Sequence, residues 1–430
     1  MRVELAYGDG GLPVELPDGS DVLEPVVAPP LPDFPAALRA AIASPIGAPP
    51  LTERVGPDDH VTIVFSDNTR PVPSTIIAPA LLEALASAGV PDEQITLLVG
   101  GGLHAPMTRA QMDGLLGPAV TARYRTVAHD ARDPDQQVFL ERYPGEPRGG
   151  IYLNAAFMQA SVRIVTGFVE PHLFAGYSGG GKGVFPGVAA AHNIMRNHGV
   201  ANLAHPRATY CVAEGNPVFE DVRRIALRAG VDFLCDVTLD AQKRVTGVYC
   251  GELVAAHNAA IAQVDRQALR PIAEPYDIVV TTNCGYPADL NLYQSIKGIV
   301  SAGLGVRTGG DIVLAAECRD GIGSAEYAGL LSSAASPAAA MEQMLQPDFH
   351  RIDQWQVQMQ VTVQERARLH LYSALDDADV RALHLEPIRD VSATVSRLAA
   401  AHERRTEERA RVLALPHGFQ AIPQLVPQAG

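Results

Sequence analysis

The sequence predicts an α/β protein with two lobes and mostly parallel sheets. Short apolar segments with strand character alternate with longer helix-forming segments, and polar or glycine-rich residues follow directly after several of the strands. The length of 430 residues also exceeds what one hydrophobic core usually supports, so two domains are expected. Clefts between such lobes commonly hold small molecules, and we expect the active site in an interdomain cleft.

The first part of the chain shows a regular alternation of strands and helices. The run VTIVF at 61–65 is typical of a buried strand, and polar residues follow it directly. Such alternation favours a parallel sheet in which the loops at the carboxyl ends of the strands carry the chemistry. In chain order we predict a helix at 36–43, a strand at 61–65, a helix at 74–88, strands at 95–99 and 162–166, helices at 188–197 and 216–228, and two strands within 231–248.

A second set of elements begins near residue 270, where a helix gives way to Pro271 and Pro275. We therefore predict a cofactor-binding α/β domain at 1–270 and a second α/β domain at 271–430. The elements predicted for the second domain are strands at 276–281 and 311–316 and helices at 294–302, 324–345 and 391–413. The last helix is charged and amphipathic, and we expect it to pack back on the first domain.

The composition excludes several classes of protein. A net charge of −14 argues against a basic surface for nucleic acid or an anionic membrane, so local basic side chains or backbone amides must bind any anionic ligand. The amino terminus lacks the pattern of a signal peptide, and no apolar run is long enough to span a membrane. Five scattered cysteines without a CxxC pair are typical of reduced thiols. We expect a cytoplasmic protein.

The segment 170–198, EPHLFAGYSGGGKGVFPGVAAAHNIMRNH, holds the densest group of candidate functional residues. Its glycines at 179–181 let a ligand approach the backbone closely and offer several N–H donors, which suits a phosphate or a carboxylate. Lys182 follows directly and adds a positive charge and a nucleophilic amine. The same segment contains His172, His192 and His198.

Two other interpretations of this segment carry less weight. Residues 176–182 spell GxxxxGK, but the next residue is Gly183, where a P-loop needs the hydroxyl of Ser or Thr to hold magnesium. A glycine-rich turn that merely connects two elements would explain neither the lysine nor the flanking histidines. The pattern therefore favours a binding loop of another kind.

Further candidate residues follow the strands predicted at 61–65 and 95–99. In the sequence DNTRP, Asp67 or Thr69 can cap the next helix, whereas Arg70 can bind a carboxylate through two hydrogen bonds. His104 lies in a glycine loop, GGLH, and is either structural or part of a site. Its position after a strand makes a site role more plausible than for a histidine on a helix face, but from the sequence motif alone both interpretations stay open.

Two candidates lie in the second predicted domain. Gln294 and Lys297 are three residues apart, so a helix would place them on one face, although a solvated pair is the simpler interpretation. Trp355 is the only tryptophan, and a single aromatic residue belongs to the core more often than to a site.

Taken together and in order, these motifs resemble those of the lactate racemase family, whose members use a nickel-pincer nucleotide. The resemblance runs through DNTRP at 67–71, GLH at 102–104, the block at 171–198 and QSIK at 294–297, and so spans much of the chain. The block that contains the lysine is its specific part. The resemblance implies a racemase or epimerase, an isomerase that acts on a small 2-hydroxy acid.

The resemblance also implies a role for each candidate residue. Lys182 would hold the cofactor, in some members through a covalent thioamide, and His198, sixteen residues later, would ligate nickel. His104 and His172 match the paired acid and base. The other matched positions would contact the cofactor, namely Asp67, Thr69, Arg70, Ser178, Gly179, Gly180 and Gly181, or the substrate, namely Arg70, Gln294, Lys297 and Trp355. His192 has no counterpart and is interpreted as structural.

The chemistry of such a reaction agrees with these residue types. The α-C–H of a 2-hydroxy carboxylate is barely acidic, whereas loss of a hydride to a cofactor gives a flat 2-keto acid that can take the hydride back on either face. A base must also remove the hydroxyl proton of each enantiomer, and two imidazoles suit that task because their pKa values lie near neutrality. Two sulfurs and a carbon of the pincer with one imidazole would complete the nickel site.

Two alternatives remain at this stage. One is an epimerase of a sugar acid or a larger hydroxy acid with the same cofactor, and the other is a nucleotide-binding protein or cofactor carrier without racemase activity. The presence of both His104 and His172 disfavours a carrier, which would need only Lys182 and His198. Cofactor-synthesis enzymes are expected partners, because no motif in this chain would make the pincer.

Overall fold

The computed structural model describes residues 1–144, 149–346 and 349–426. The chain divides into two compact units. Unit A consists of Val27–His198 and Arg207–Asp265, and unit B consists of Met1–Val26, Gly199–Pro206 and Arg266–Gly430. These units differ from the predicted domains 1–270 and 271–430, because the first 26 residues and a short internal segment belong with the carboxyl-terminal part of the chain.

Unit A is built on one six-stranded sheet. Five of its strands are parallel, and the edge strand Val245–Gly251 runs antiparallel to its neighbour. From one edge to the other, the strands are Val245–Gly251, Phe233–Leu239, Val162–Phe168, Val61–Ser66, Ile95–Gly100 and Arg125–Ala128. The prediction of a mostly parallel α/β fold is confirmed for this unit.

Apolar residues cover both faces of this sheet, which is why its central strands are almost continuously apolar. Ile63 and Phe65 pack in one buried cluster with the helix Ser74–Ser87. Val64, between them, points to the opposite face and packs in a second cluster with the helix Pro217–Ala229. The period of two along each strand therefore builds two cores, one on each side of the sheet.

The remaining elements of unit A surround this sheet. Two antiparallel pairs of strands are Gln137–Arg142 with Gly150–Asn154 and Pro171–His172 with Gly176–Tyr177. The helices are Phe34–Ala43, Leu51–Arg54, Ser74–Ser87, Arg109–Leu116, Pro118–Arg123, Ala155–Met158, Ala191–Asn197, Pro217–Ala229 and Leu253–Ala268, whose last residues enter unit B, and the short 3-10 turns are Asp92–Gln94, Pro134–Gln136 and Gly180–Gly183.

Unit B contains a second six-stranded sheet, and all of its strand pairs are parallel. Its order is Glu386–Pro387, Ala367–Tyr372, Val306–Ala315, Tyr276–Thr282, Val412–Leu415 and Asp21–Val22. The smaller pairs are Arg2–Tyr7 with Gly10–Glu15 and Leu269–Ile272 with Ile422–Leu425. Its helices are Val200–Leu203, Leu292–Gly303, Ala325–Ser332, Pro337–Met344, Gln354–Gln364, Asp377–Ala382 and Val391–Thr406, with a 3-10 turn at Gly418–Gln420.

The structure corrects two of the predicted helices in unit B. The stretch predicted as one helix at 324–345 forms two, because Ser336 caps the second and Pro337 opens it. The helix predicted at 391–413 ends at Thr406, where Glu407 adopts a left-handed conformation with φ of 63°. The apolar residues after it form the strand Val412–Leu415 instead.

The terminal helix Val391–Thr406 packs within unit B. It contacts the strands Tyr276–Thr282 and Val306–Ala315 of the parallel sheet and the strand Gly10–Glu15 near the amino terminus. Within the described ranges, no helix combines the length and the apolar composition that crossing a bilayer would require.

Candidate active site

The loop after the strand Val61–Ser66 presents a buried carboxylate at the carboxyl end of the unit A sheet. Asp67 is 5% exposed, and its Oδ1 accepts hydrogen bonds from the backbone N–H and the hydroxyl of Thr69, at 3.2 and 2.5 Å. Burial favours a raised pKa for Asp67, but the hydrogen bonds from His104 and Thr69 outweigh it, so that the pKa lies below its ordinary value. Asp67 is therefore ionised near neutral pH.

His104 lies on the neighbouring loop and contacts this carboxylate directly. Its Nδ1 is 2.6 Å from Asp67 Oδ2, and its side chain is 51% exposed. An ionised carboxylate can only accept, so Nδ1 of His104 donates and the neutral ring has its lone pair on Nε2. The strand Ile95–Gly100, which precedes this loop, pairs in parallel with Val61–Ser66, and this register brings the two loops together. The pair resembles the carboxylate–imidazole pairs that orient a general base.

Arg70 is exposed and lies close to two of the other candidates. Its guanidinium lowers the pKa of both Asp67 and Lys182 by its charge, although it is not the largest influence on either. The backbone N–H of Arg70 donates to the carbonyl oxygen of Asp67 at 3.1 Å, which closes the turn. An accessible guanidinium beside an amine provides a positively charged surface for an anion.

The glycine loop enters a short 3-10 turn, Gly180–Gly183, that carries Lys182. Gly179 has φ of 74° with ψ of −163°, and Gly180 has φ of 53°, which are conformations that favour glycine. The backbone N–H of Lys182 donates to the carbonyl oxygen of Gly179 at 3.0 Å. The conformation of these glycines thus fixes the point and direction from which the side chain of Lys182 extends from the backbone.

The ammonium group of Lys182 loses its proton more easily than that of an exposed lysine. Burial lowers its pKa to about 7, and the charge of Arg70 acts in the same direction. Among the described residues, no hydrogen bond or ion pair from its ammonium group offsets this loss. A large fraction of this amine is therefore neutral at physiological pH, as a nucleophilic or covalently attached lysine requires.

His198 is buried at the end of the helix Ala191–Asn197, with 8% exposure. Burial lowers its pKa to about 3, and the neighbouring charge of Lys182 contributes. Its Nδ1 lies 3.0 Å from the amide oxygen Oδ1 of Asn197, so Nδ1 donates and Nε2 keeps its lone pair. The amide of Asn197 is in turn bound to Asp221 at 3.1 Å. A neutral imidazole with an oriented ring is the form that ligates metals.

His172 belongs to the short antiparallel pair Pro171–His172 and Gly176–Tyr177, which supports the glycine loop. Its Nδ1 accepts a hydrogen bond of 3.2 Å from the backbone N–H of Ala175, so the neutral ring carries its proton on Nε2. The ring of Phe174 makes edge-to-face contacts with two imidazoles, with centroids 4.6 Å from His172 and 5.0 Å from His198. Phe174 therefore contacts both histidines.

These contacts connect most of the predicted site residues within unit A. Asp67 is hydrogen-bonded to His104. The charge of Arg70 lowers the pKa values of Asp67 and Lys182, and the charge of Lys182 lowers the pKa of His198. The ring of Phe174, which was not predicted as a site residue, contacts both His172 and His198 and so extends this set to His172. Ser178 is buried, and its hydroxyl donates to the carbonyl oxygen of Phe168 at 2.8 Å, so it supports the loop from within.

Three predicted substrate contacts lie in unit B. Gln294 and Lys297 both stand on the helix Leu292–Gly303, and the ammonium of Lys297 lies 5.4 Å from the centroid of the Phe419 ring. The indole N–H of Trp355 donates to the hydroxyl of Tyr293 at 3.3 Å. Tyr293 directly precedes Gln294 but was not predicted as a partner of Trp355. The two residues are 62 positions apart, and no sequence pattern indicates their contact.

His192 is exposed, and its Nε2 lies 3.3 Å from the carbonyl oxygen of Gly150. Its ring packs against Tyr152 with a centroid distance of 5.5 Å, which agrees with a structural role. Among the described residues, no three or more His, Cys, Asp or Glu side chains are grouped as a metal site.

Comparison with known proteins adds independent information. A sequence profile described as the lactate racemase N-terminal domain matches residues 7–210, and one described as the lactate racemase C-terminal domain matches residues 272–422. The lactate racemase of Lactiplantibacillus plantarum is 31% identical over 90% of this chain and 90% of its own length. That of Thermoanaerobacterium thermosaccharolyticum is 30% identical over 83% of this chain and 84% of its own length.

Solved structures show the same similarity. The structure of the lactate racemase apoprotein from Thermoanaerobacterium thermosaccharolyticum superposes with a TM-score of 0.90 at 27% identity, covering 99% of this chain and 100% of that one. A Thermotoga maritima protein with 17% identity has a TM-score of 0.65 over 93% of this chain and 100% of its own, and it shares the fold.

The fold, the site and these relatives together define an isomerase of the racemase type. Both profiles match in the expected order and cover most of the chain. The chain belongs to the lactate racemase family.

Proposed function

We propose that this protein racemises a small 2-hydroxy acid, with lactate as the first candidate, by reversible hydride transfer to a nickel-pincer nucleotide. The observation that supports this most strongly is that Lys182, carried by the turn after a glycine loop, lies close enough to His198 for its charge to lower the pKa of that imidazole. Burial makes the first an amine with a pKa of about 7 and the second an imidazole with a pKa of about 3. Both relatives are named lactate racemases, which supports racemisation with lactate as the first candidate substrate.

The residues present fit such a cofactor. The glycines at 179–181 lead into the turn that carries Lys182, which would hold the nucleotide. His198 offers Nε2 as a nitrogen ligand for nickel while its Nδ1 is fixed by Asn197. When bound, the nickel-pincer nucleotide would supply a reversible hydride acceptor next to the substrate.

His104 would serve as the base for one enantiomer. Its Nε2 has the lone pair because Nδ1 donates to the carboxylate of Asp67. The same carboxylate stabilises the imidazolium that forms when His104 takes the hydroxyl proton of the substrate. Half exposure of the ring leaves it accessible to a small molecule.

His172 would serve the other enantiomer. Its neutral ring carries a proton on Nε2, because Nδ1 accepts the N–H of Ala175. At rest the two imidazoles are thus in complementary tautomers, one ready to accept a proton and one able to donate a hydrogen bond. In each direction one imidazole takes the hydroxyl proton of the substrate and the other returns a proton to the product, so His172 takes part in both directions. To accept a proton on Nδ1, it must give up its contact with Ala175.

The substrate carboxylate needs cationic partners in a protein with a net charge of −14. Arg70 offers an exposed guanidinium close to the hydrogen-bonded pair of Asp67 and the base His104. Lys297 and Gln294 would add an ammonium and an amide, and Trp355 would contact the substrate side chain. The enzymes that synthesise the cofactor would be required partners for activation.

The chain itself offers a direct test, because it contains three lysines, Lys182, Lys243 and Lys297. After production together with the cofactor-synthesis enzymes, the protein is acylated and its lysine peptides are quantified by mass spectrometry. We expect about one nickel per chain and protection of Lys182, while exposed Lys243 reacts as in the cofactor-free protein. Nickel-free protein that racemises lactate would contradict the proposal.

A panel of single enantiomers of 2-hydroxy acids, analysed by chiral chromatography, identifies the substrate. Conversion of lactate above the other acids supports the proposal as stated. Preference for a sugar acid or a larger hydroxy acid would replace the substrate but keep the site. Bound nickel without turnover of any acid would identify a carrier instead.

A further inference from the structure

A buried carboxyl group lies under the glycine loop and is not explained by the reaction. Asp236 is fully buried in the strand Phe233–Leu239, where its neighbours are mostly apolar. Its Oδ2 accepts the backbone N–H of Gly180 at 2.7 Å. Its Oδ1 is buried without a hydrogen-bond partner among the described residues. A half-satisfied buried carboxyl group costs stability and calls for an explanation.

His257 holds the same loop from a second direction. It is 4% exposed on the helix Leu253–Ala268, and its Nε2 donates to the carbonyl oxygen of Ser178 at 2.9 Å. Its ring stacks on Phe219, with an interplanar angle of 18°, so its orientation is fixed by packing. One side chain therefore binds an N–H of the loop and the other binds a C=O.

The loop is shaped around these two side chains. A Cβ on Gly179 would lie 2.6 Å from Asp236 Oδ2, and a Cβ on Gly180 would lie 2.2 Å from His257 Nδ1. On the opposite side of Asp236, a Cβ on Gly167 would lie 2.8 Å from Oδ1. Contacts below 3.0 Å to Cβ atoms do not occur in folded proteins, so these glycines are required for Asp236 and His257 to reach the backbone.

The turn that carries Lys182 needs an outside acceptor. Its capping residue is Gly179, which has no side chain with which to accept an N–H at the start of the turn. Asp236 provides that acceptor from a different strand, and its negative charge suits the amino-terminal end of a helical turn. Burial raises the pKa of Asp236 to about 7, and the N–H of Gly180 acts against this.

We propose that Asp236 and His257 form a clamp that fixes the backbone of the glycine loop and thereby positions the amine of Lys182. Both are positioning residues, since they contact the loop and not the reacting atoms. The inference rests on the proposed function only in naming the cofactor for which Lys182 is held. Without the clamp, Gly179 and Gly180 would sample the wide range of conformations open to glycine, and Lys182 would lose its defined direction.

Hydrogen–deuterium exchange of the cofactor-free protein tests the clamp directly. Mass spectrometry follows peptides that cover residues 176–183. In Asp236→Ala, we expect exchange there to be about tenfold faster, because the buried hydrogen bond from the N–H of Gly180 to the carboxyl group is lost. In Asp236→Asn, the amide oxygen can still accept the N–H of Gly180, and exchange should stay within about twofold of the wild type.

Thr238→Val is the matched control. Thr238 lies on the same strand, is 1% exposed, and binds the hydroxyl of Thr246 at 2.9 Å without touching the loop. It should lower the melting temperature while leaving exchange at 176–183 unchanged. His257→Phe, which keeps the stacking on Phe219 but loses the N–H, is the second test if Asp236→Ala does not fold, and we expect faster loop exchange in it.

Nickel content after loading is the second measurement. Folded Asp236→Ala should retain less than about half of the wild-type nickel, and Asp236→Asn should restore it. A folded Asp236→Ala or His257→Phe variant with wild-type loop exchange would overturn the clamp. Wild-type protein that binds no nickel would instead overturn the proposed function, and loop exchange would still decide whether the clamp exists.

Discussion

Replacement of Asp67 tests the role of its contact with His104. The two side chains are 2.6 Å apart, and the carboxylate fixes the proton of His104 on Nδ1. A hydrogen bond to a charged group is worth about 1.5–3 kcal/mol, so Asp67→Ala should lower kcat by about 10- to 150-fold. The rate is compared per bound nickel, because the family resemblance also assigns Asp67 to the cofactor and its replacement can lower loading as well.

Asp67→Asn should be more damaging than Asp67→Ala, although it is closer in shape. The Asn oxygen can still accept from Thr69, which turns the Asn amide N–H₂ towards Nδ1 of His104. The neutral imidazole would then carry its proton on Nε2 and could not act as a base there. Stabilising the wrong tautomer in a comparable carboxylate–histidine pair costs about 10⁴-fold.

The assay is conversion of one lactate enantiomer, followed by chiral chromatography at saturating substrate and normalised to nickel. Asp113→Asn is the matched control, because it makes the same chemical change on an exposed helix of unit A. It should retain the wild-type rate. Equal rates for wild type and Asp67→Asn would refute the reasoning, and a rate for Asp67→Asn above that of Asp67→Ala would refute the tautomer argument.

Three further predictions concern single groups. His104→Ala and His172→Ala should each keep nickel bound but lower racemisation by about 10²- to 10⁴-fold, measured by the same chromatography; full turnover in either would remove the two-base mechanism. Cofactor loading should rise between pH 6 and pH 8, because Lys182, with a pKa of about 7, loses its proton in this range. The measurement is the nickel retained after loading for a fixed time at each pH. Equal nickel content across this range would show that the amine plays no part. For Asp236 the pKa of about 7 in the folded protein lies above its ordinary 3.8, so folding binds a proton at this carboxyl group between these values, and the contribution of Asp236 to stability falls as pH rises through that window. The gain in free energy of unfolding from Asp236→Asn should therefore grow from about pH 4 to about pH 7 and then level off in denaturant titrations.

Much of the fold was predictable because the strands of unit A are buried on both faces. Segments such as 61–66 are almost continuously apolar and end in polar or glycine residues, so both their type and their carboxyl ends are visible in sequence. The prediction of one helix at 391–413 was wrong at its carboxyl end. A left-handed Glu407 stops it without the usual glycine, and the short run VLAL at 412–415 has no period that separates strand from helix.

The candidate site was predictable as a set of residues but not as a set of contacts. Asp67 and His104 are 37 residues apart, and only the pairing of their two strands makes them neighbours. Asp236 is 56 residues from Gly180 and carries no motif; its one signal is a charge within the otherwise apolar run FLCDVTL. Contacts of this kind depend on strand order, which local patterns do not determine.

The nickel content of three purified variants, loaded in the same way as the wild type, tests the central claim most directly. If Lys182 and His198 jointly hold a nickel-bearing cofactor, Lys182→Ala and His198→Ala should contain almost no nickel, while His104→Ala should contain as much as the wild type. Wild-type nickel content in either of the first two, with the protein folded, would contradict the account.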